Sequence, residues 1–199
     1  MNITVGVLAL QGAFSAHQRV LARLGVGTHQ VRLPRDLDQV DALVMPGGES
    51  TTMSQLLESS GLFDAVAERI GRGMPVLGTC AGLILLASEV LDGRDDQRSF
   101  GALPLTVRRN GYGRQIDSFE SDITVTGIDG PFTAVFIRAP IIEHVGDGVD
   151  VLAAHDGRPV AVANDQFVGA TFHPELTDDI RFHGVFIDRV LSQASTSRR

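Results

Sequence analysis

A single cysteine, Cys80, leaves the chain unable to close an internal disulfide, which excludes a stapled secreted scaffold and fits a reducing compartment. No apolar run approaches membrane-spanning length, and the opening Met1-Asn2-Ile3-Thr4-Val5 lacks the basic segment that begins a secretory signal. Positive charge is also short, with 17 Lys and Arg against 24 Asp and Glu and a formal net charge of -7. That balance argues against nucleic acid or an anionic membrane as the main partner. The six histidines show no metal-binding spacing, and the chain has no internal repeat, low-complexity tract or dividing linker. The expectation is a soluble cytoplasmic protein with one domain over 1–199, needing neither metal nor cofactor. Hydrophobic residues at 43% supply a sizeable core for it.

The core pattern is that of an α/β fold. Ile3 to Leu10 is a nearly continuous apolar run, the mark of a strand covered on both faces. Phe14, His17, Val20, Leu21 and Leu24 follow at helical spacing, with Gly25 and Gly27 as the stop. Short strands are expected at Thr28 to Leu33 and Ala42 to Met45, separated by a loop with Pro34, Asp36, Asp38 and Asp41. Two helices carrying Met53, Leu56 and Leu57, then Leu62, Phe63, Val66 and Ile70, lead to the apolar strand at Met74. Asp92 to Ser99 reads as a surface connection without a role. Beyond Leu103 the pattern shortens and alternates, which predicts antiparallel strands at Leu105 to Arg108, Ile123 to Thr126, Ala134 to Arg138, Val151 to Ala154, Val160 to Ala163 and Phe167 to Phe172. A last helix is expected at Ile180 to Leu191, with a frayed tail from Ser192 to Arg199.

Within this frame Gly78-Thr79-Cys80-Ala81-Gly82 has the form G-x-C-x-G, a cysteine version of the elbow that lifts a nucleophile out of a strand-to-helix corner. Side chains two positions before and after the cysteine would collide in so tight a turn. Free cysteine is commonly a small buried hydrophobe, but flanking glycines after an apolar strand favour the reactive reading. The end of the following helix favours the thiolate, the attacking species. A base and an orienting group are then required, and His173-Pro174-Glu175 offers both: residues two apart on extended chain project to one side, so Glu175 can hold the His173 imidazole. His17, His29, His144, His155 and His183 have no such arrangement and read as structural or surface residues. For the negative oxygen of an attacked carbonyl, the Ala81 amide and an amide of Gly47-Gly48, on the same carboxyl edge of the sheet, are the expected donors.

With these residues in place, the chain resembles class I glutamine amidotransferase domains, whose triad runs Cys, His, Glu. More closely, Leu10-Gln11-Gly12, Pro46 to Thr52, Gly78 to Gly82, Arg109-Asn110, Gly113-Arg114-Gln115, Asp117-Ser118-Phe119, Phe136 to Pro140 and Phe172 to Leu176 resemble the glutaminase-subunit family of pyridoxal 5'-phosphate synthase. The resemblance implies a three-layer αβα, flavodoxin-like fold with a mainly parallel central sheet and added antiparallel strands in the C-terminal half. It also implies hydrolysis of L-glutamine to glutamate and ammonia through a thioester, the ammonia passing to a barrel-shaped synthase subunit in a hetero-oligomeric complex. Carried over by position, Cys80 is the nucleophile, His173 the base and acid, and Glu175 the orienting carboxylate. Gly47, Gly48, Glu49, Arg109, Ile137 and Arg138 match glutamine-binding positions; an arginine fork suits the α-carboxylate and Glu49 suits the α-ammonium. Gln11-Gly12 matches a stretch that faces the synthase. Two other readings stay open on the sequence: the glutaminase of another pathway, such as histidine synthesis, and a non-catalytic binding module on the same fold.

Overall fold

A computed structural model describes residues 3–94, 96–109 and 118–196. The expected motif residues Asn110, Gly113, Arg114, Gln115 and Asp117 lie outside the described residues.

The chain opens with β1 (Thr4–Leu8), α1 (Phe14–Arg23), β2 (Gly27–Val31), β3 (Ala42–Met45), α2 (Ser50–Ser59), α3 (Leu62–Gly71) and β4 (Val76–Thr79). Strands β1, β2, β3 and β4 pair in parallel in the order 2-1-3-4. Every residue of β3 is buried, and alternate side chains serve opposite faces. Ala42 and Val44 pack with Val5, Val7 and Leu21 on one side, and Leu43 and Met45 with Met53, Leu57 and Phe63 on the other. This period of two puts one helical layer on each side of the sheet. Between β2 and β3 the expected loop is a 3-10 turn, Pro34–Gln39, whose Asp36 carboxylate accepts from the Arg32 and Leu33 amides.

After β4 the short helix α4 (Ala81–Leu86) is buried along its whole length. It gives way at Ala87 to a strand absent from the sequence reading, β5 (Ala87–Leu91), which pairs in parallel with β6 (Leu103–Arg108). A hairpin of β7 (Phe119–Ile123) and β8 (Phe132–Phe136) follows, its strands set a few residues earlier than expected. Another strand absent from that reading, β9 (Ile141–Val145), pairs antiparallel with β6. The rest of the chain is β10 (Asp150–His155), β11 (Arg158–Ala163), β12 (Phe167–Ala170) and α5 (Arg181–Thr196).

Two expectations are corrected here. β12 is not an antiparallel strand throughout: it pairs antiparallel with β11 but parallel with β4, because its carboxyl end points the same way as the elbow strand. It therefore completes the central sheet, in the order 10-11-12-4-3-1-2, and brings the segment after Ala170 beside Cys80. The tail is not frayed from Ser192 onward, because α5 continues to Thr196 and the Ser192 and Ser195 hydroxyls donate to carbonyls one turn back. Its Phe182, Phe186 and Val190 pack with Phe132, Phe136 and Phe172 against the same face of the sheet as α1.

Candidate active site

The elbow meets the steric expectation closely. A Cβ built on Gly82 would lie 2.1 Å from the Met45 carbonyl oxygen, and one on Gly78 would lie 2.8 Å from the Gly82 backbone. No real side chain tolerates either approach. Cys80 itself has φ 48 and ψ -104, outside the basins open to an ordinary L-residue. A conformation of this kind costs on the order of 1–3 kcal/mol and persists only where neighbours hold it. Here the Cys80 amide donates to the Ala170 carbonyl of β12 at 2.8 Å, and the Cys80 carbonyl accepts from Ile84 at 3.2 Å. The strain turns the sulfur out of the sheet edge.

His173 stands three residues beyond β12, with its amide donating to the Val135 carbonyl at 2.8 Å. Pro174 starts a 3-10 turn, Pro174–Leu176, so the strand ends there. Glu175 Oε1 accepts from His173 Nδ1 at 2.7 Å, and Cys80 lies close enough to the same imidazole to raise its pKa. The three side chains thus form one series, with His173 8% and Glu175 4% exposed. Burial alone would lower the His173 pKa, but hydrogen bonds to Cys80 and Glu175, and their charges, raise it to about 10. Burial alone would raise the Glu175 pKa; the neighbouring His17 and the bond from His173 outweigh that and hold it below the usual range.

A cavity of about 170 Å³ opens beside the series, lined by Gly48, Glu49, Ser50, Cys80, Ile84, Arg109, Ile137, Arg138 and His173. The structure therefore brings together all the residues matched to glutamine binding except Gly47. That glycine lies directly against the imidazole: a Cβ on it would fall 2.3 Å from His173 Cε1 and 3.3 Å from Cys80 Cβ. Arg138 carries a left-handed φ of 45, a second non-glycine residue held in an uncommon conformation at this cavity. Gln11 donates from Nε2 to the Glu49 carbonyl at 2.7 Å, which ties the first loop of the chain to the glycine loop.

Glu49 is more occupied than the sequence suggested. It caps α2, its Oε1 accepting from the Thr51 amide at 3.1 Å and its Oε2 from the Thr52 amide and hydroxyl, each at 2.7 Å. Oε1 also accepts from Arg109 at 2.8 Å. Burial raises its pKa, but the bonds from Thr52 and Thr51 and the Arg109 charge prevail and lower it. Arg109 spends its other nitrogen on Thr51 Oγ1 at 2.9 Å and Gln97 Oε1 at 2.8 Å. Gln97 belongs to the segment that had been given no role. It was missed because a glutamine in a polar loop carries no signal until Arg109 reaches it. A second cavity of about 400 Å³, lined by Glu49, Thr51, Thr52, Gln55, Asp92, Arg94 and Arg109, adjoins on this side.

A larger cavity, about 930 Å³, lies elsewhere, between α5 and the segments that precede β4 and β12. Its lining includes Arg72, Gly73, Gln166, Asp188 and Arg189 and no cysteine or histidine, so it carries no nucleophile and base. The smaller cavity, at the carboxyl ends of the strands where open α/β sheets place their ligands, is lined by both a cysteine and a histidine. Among the described residues no group of three or more His, Cys, Asp or Glu could hold a metal ion. No helix among them is long and apolar enough to cross a membrane.

The family model for SNO glutamine amidotransferases matches residues 7–192. The chain belongs to that family. Among the relatives of this SNO-family chain, pyridoxal 5'-phosphate synthase subunit PdxT of Mycobacteroides abscessus is 54% identical over 190 residues, spanning 96% of this chain and 98% of the relative. The protein of the same name from Salinispora arenicola is 53% identical over 192 residues, spanning 94% and 96%. The crystal structure of a glutamine amidotransferase superposes with a TM-score of 0.88 at 44% identity, covering 94% of this chain and 98% of that one. PurLQS from Thermotoga maritima shares the fold at a TM-score of 0.66 and 16% identity, each chain covered in full. The three-layer αβα fold expected from the sequence is thus the fold of glutamine amidotransferases.

Proposed function

We propose that this chain is the glutaminase subunit of a pyridoxal 5'-phosphate synthase, and that Cys80, His173 and Glu175 are its catalytic groups. The observation that carries the reading is that Cys80 and His173 line one cavity and that Glu175 holds the His173 imidazole from behind at 2.7 Å. It occurs in a chain whose relatives bear the name of that subunit along nearly their whole length. The glutaminase of another pathway and the non-catalytic module are not favoured by those relatives.

In this reading the Cys80 sulfur attacks the side-chain amide carbon of L-glutamine as a thiolate, its proton held by His173. The carbonyl oxygen becomes negative, and the amides of Ala81 and Gly48 receive it. Collapse of that intermediate breaks the C–N bond. His173 passes its proton to the departing nitrogen, and ammonia leaves a thioester on Cys80. Water then attacks the thioester, His173 taking a proton from it, and glutamate is released as the C–S bond breaks. Glu175 stays ionised throughout and stabilises the imidazolium. A His173 pKa near 10 suits the step in which a proton must be ready for ammonia.

Gly47, Gly48, Glu49, Arg109, Ile137 and Arg138 bind the substrate in this scheme. Glu49 and Arg109 are already paired, so a bound α-amino acid exchanges into their ion pair: its carboxylate replaces one bond to Arg109 and its ammonium one bond to Glu49. The whole chain acts as one glutaminase domain, a reading supported by a central sheet that interleaves strands from both ends of the sequence. Ammonia passes to a barrel-shaped synthase subunit, the complex works in the cytoplasm, and Gln11 lies on the side that meets the partner.

The test is glutamate release from L-glutamine by this chain, alone and with the synthase subunit. Activity that rises with the partner and is abolished by Cys80→Ala supports the reading. Cys80→Ala with full activity overturns the assignment of the nucleophile, and wild type with no activity in either condition overturns the enzyme.

A further inference from the structure

His17 on α1 and His183 on α5 are both fully buried, 166 residues apart in sequence, and neither lines the catalytic cavity. They meet behind Glu175. His17 Nδ1 lies 2.9 Å from His183 Nε2. On the other side of the same ring, His17 Nε2 lies 3.4 Å from Glu175 Oε2 and 3.3 Å from Thr79 Oγ1. Glu175 Oε1 is taken by His173, whereas Oε2 is buried with no hydrogen-bond partner among the described residues, and the His17 ring nitrogen at 3.4 Å is its polar contact.

The protons in this group can be arranged in two ways. If His17 carries its hydrogen on Nε2, it faces both Glu175 Oε2 and Thr79 Oγ1, and His17 Nδ1 accepts from His183 Nε2–H. One acceptor, His183 Nδ1, and one donor, the Thr79 hydroxyl, then remain unpaired. If instead the hydrogen sits on Nδ1, it is donated to His183 Nε2, and the Thr79 hydroxyl donates to His17 Nε2. His183 then buries an N–H with no acceptor, and the ionised Glu175 Oε2 faces the bare lone pair of His17 Nε2 at 3.4 Å. Each arrangement leaves one donor unpaired, but only the second sets a ring lone pair against a buried charged oxygen, which the first replaces by an N–H. The first arrangement is therefore the native one.

Resting on the reading of Cys80, His173 and Glu175 as the catalytic groups, we propose that His17 is a positioning residue of that triad. Held by His183 as the neutral Nε2–H tautomer, it steadies Glu175 Oε2 and so aims Oε1 at His173. The neutral state fits the surroundings. Burial lowers the His17 pKa against the pull of Glu175, with His173 adding to the lowering. Burial and the neighbouring His17 bring that of His183 down to about 3. The titratable groups around Glu175 are thus His173 from its own turn, His17 from α1 and His183 behind it from α5.

The experiment compares His17→Met, which keeps the volume without a donor, with His17→Gln, whose amide nitrogen reaches where Nε2 stands. Both are assayed with the synthase subunit beside wild type and Cys80→Ala. His17→Met is expected to lose about tenfold to a hundredfold in kcat with KM unchanged, the size of a lost hydrogen bond to a charged group. The acid limb of its kcat/KM profile moves to higher pH, because a carboxylate without its donor keeps a proton longer. His17→Gln restores most of the turnover. Two results overturn the proposal: wild-type kcat and pH profile in His17→Met, or equal losses in both variants. Full activity in Cys80→Ala would instead remove the underlying triad, so the two failures are told apart. The ring ¹⁵N shifts of the wild-type protein give a reading independent of how the variants fold. They should show His17 protonated at Nε2 and bare at Nδ1, and the opposite tautomer overturns the inference.

Discussion

Replacing Glu175 by glutamine removes one charge from a place where little solvent can substitute for it. Glu175 is 4% exposed and its Oε1 accepts from His173 Nδ1 at 2.7 Å. The rise of the His173 pKa from 6.5 to about 10, against the lowering that burial alone would cause, corresponds to roughly 5 kcal/mol in favour of the imidazolium. The hydrogen bond from the imidazolium to the carboxylate, one between charged groups, is worth about 1.5 to 3 kcal/mol, or about 10- to 150-fold in turnover. The amide adds a second effect. With its nitrogen turned to His173 it selects the wrong tautomer, and the same change in a Ser-His-Asp triad lowers turnover about 10⁴-fold. Glu175→Gln is thus expected to fall between those limits in kcat, with KM unchanged because Glu175 does not line the cavity. Steady-state glutamate release with the synthase subunit measures both constants. Wild-type turnover in a folded variant would refute the assignment of Glu175, and a rise in KM alone would turn it into a binding residue.

Gly47→Ala should abolish turnover while the sheet remains folded, because its Cβ would displace the imidazole from 2.3 Å away; circular dichroism beside the activity assay checks both halves. Phe172→Ala, which empties a fully buried site among Phe132, Phe136 and Phe182, should cost about 3–5 kcal/mol in a denaturant titration. His173 has a folded pKa of about 10 against 6.5, so its stabilising contribution is complete below pH 6.5 and lost as pH rises through 10. The melting temperature should accordingly decline from pH 7 to 10, and less steeply in His173→Gln. His183 has the opposite sign. Burial lowers its folded pKa to about 3, so the unfolded chain takes up a proton that the native one refuses, and stability is lost as pH falls from 6.5 towards 3. His183→Phe should flatten that acid slope in thermal melts.

The grouping of the proposed catalytic residues was legible in the sequence because its signals are local. Gly78 and Gly82 bracket Cys80 within one turn, and His173 and Glu175 sit two apart at a strand end closed by Pro174. The strands β5 and β9 were harder to see. Ala87 continues an apolar run from Leu83, and the break into β5 comes from pairing with β6, a contact no local pattern records. In β9, Ile141 and Ile142 follow Pro140 with no alternation between them, and both are buried. The direction of β12 was misread because its neighbour β4 lies almost ninety residues back, while its neighbour in sequence, β11, is antiparallel. His17 had one visible signal: it occupies the apolar stripe of α1, where a histidine needs a buried partner. Its partners Glu175 and His183 lie far along the chain, in the turn after β12 and on α5, and only the fold brings them near.

The lateral insertion of β12 between β4 and β11 also has a consequence in time. Cys80 leaves the ribosome long before His173 and Glu175, and the carbonyl that anchors its amide belongs to Ala170. On the proposed roles, the thiol therefore exists during synthesis for nearly a hundred residues without its base or the bond that holds its strained conformation, and the chain should be inert until its last strand docks. A chain stopped before Phe167 is expected to release no glutamate and to label slowly at Cys80, although its first four strands can pair. Premature activity in such a fragment would mean that the elbow holds its shape without β12. The interleaved order of the sheet thus works as a completeness check: an unfinished protein hydrolyses no glutamine.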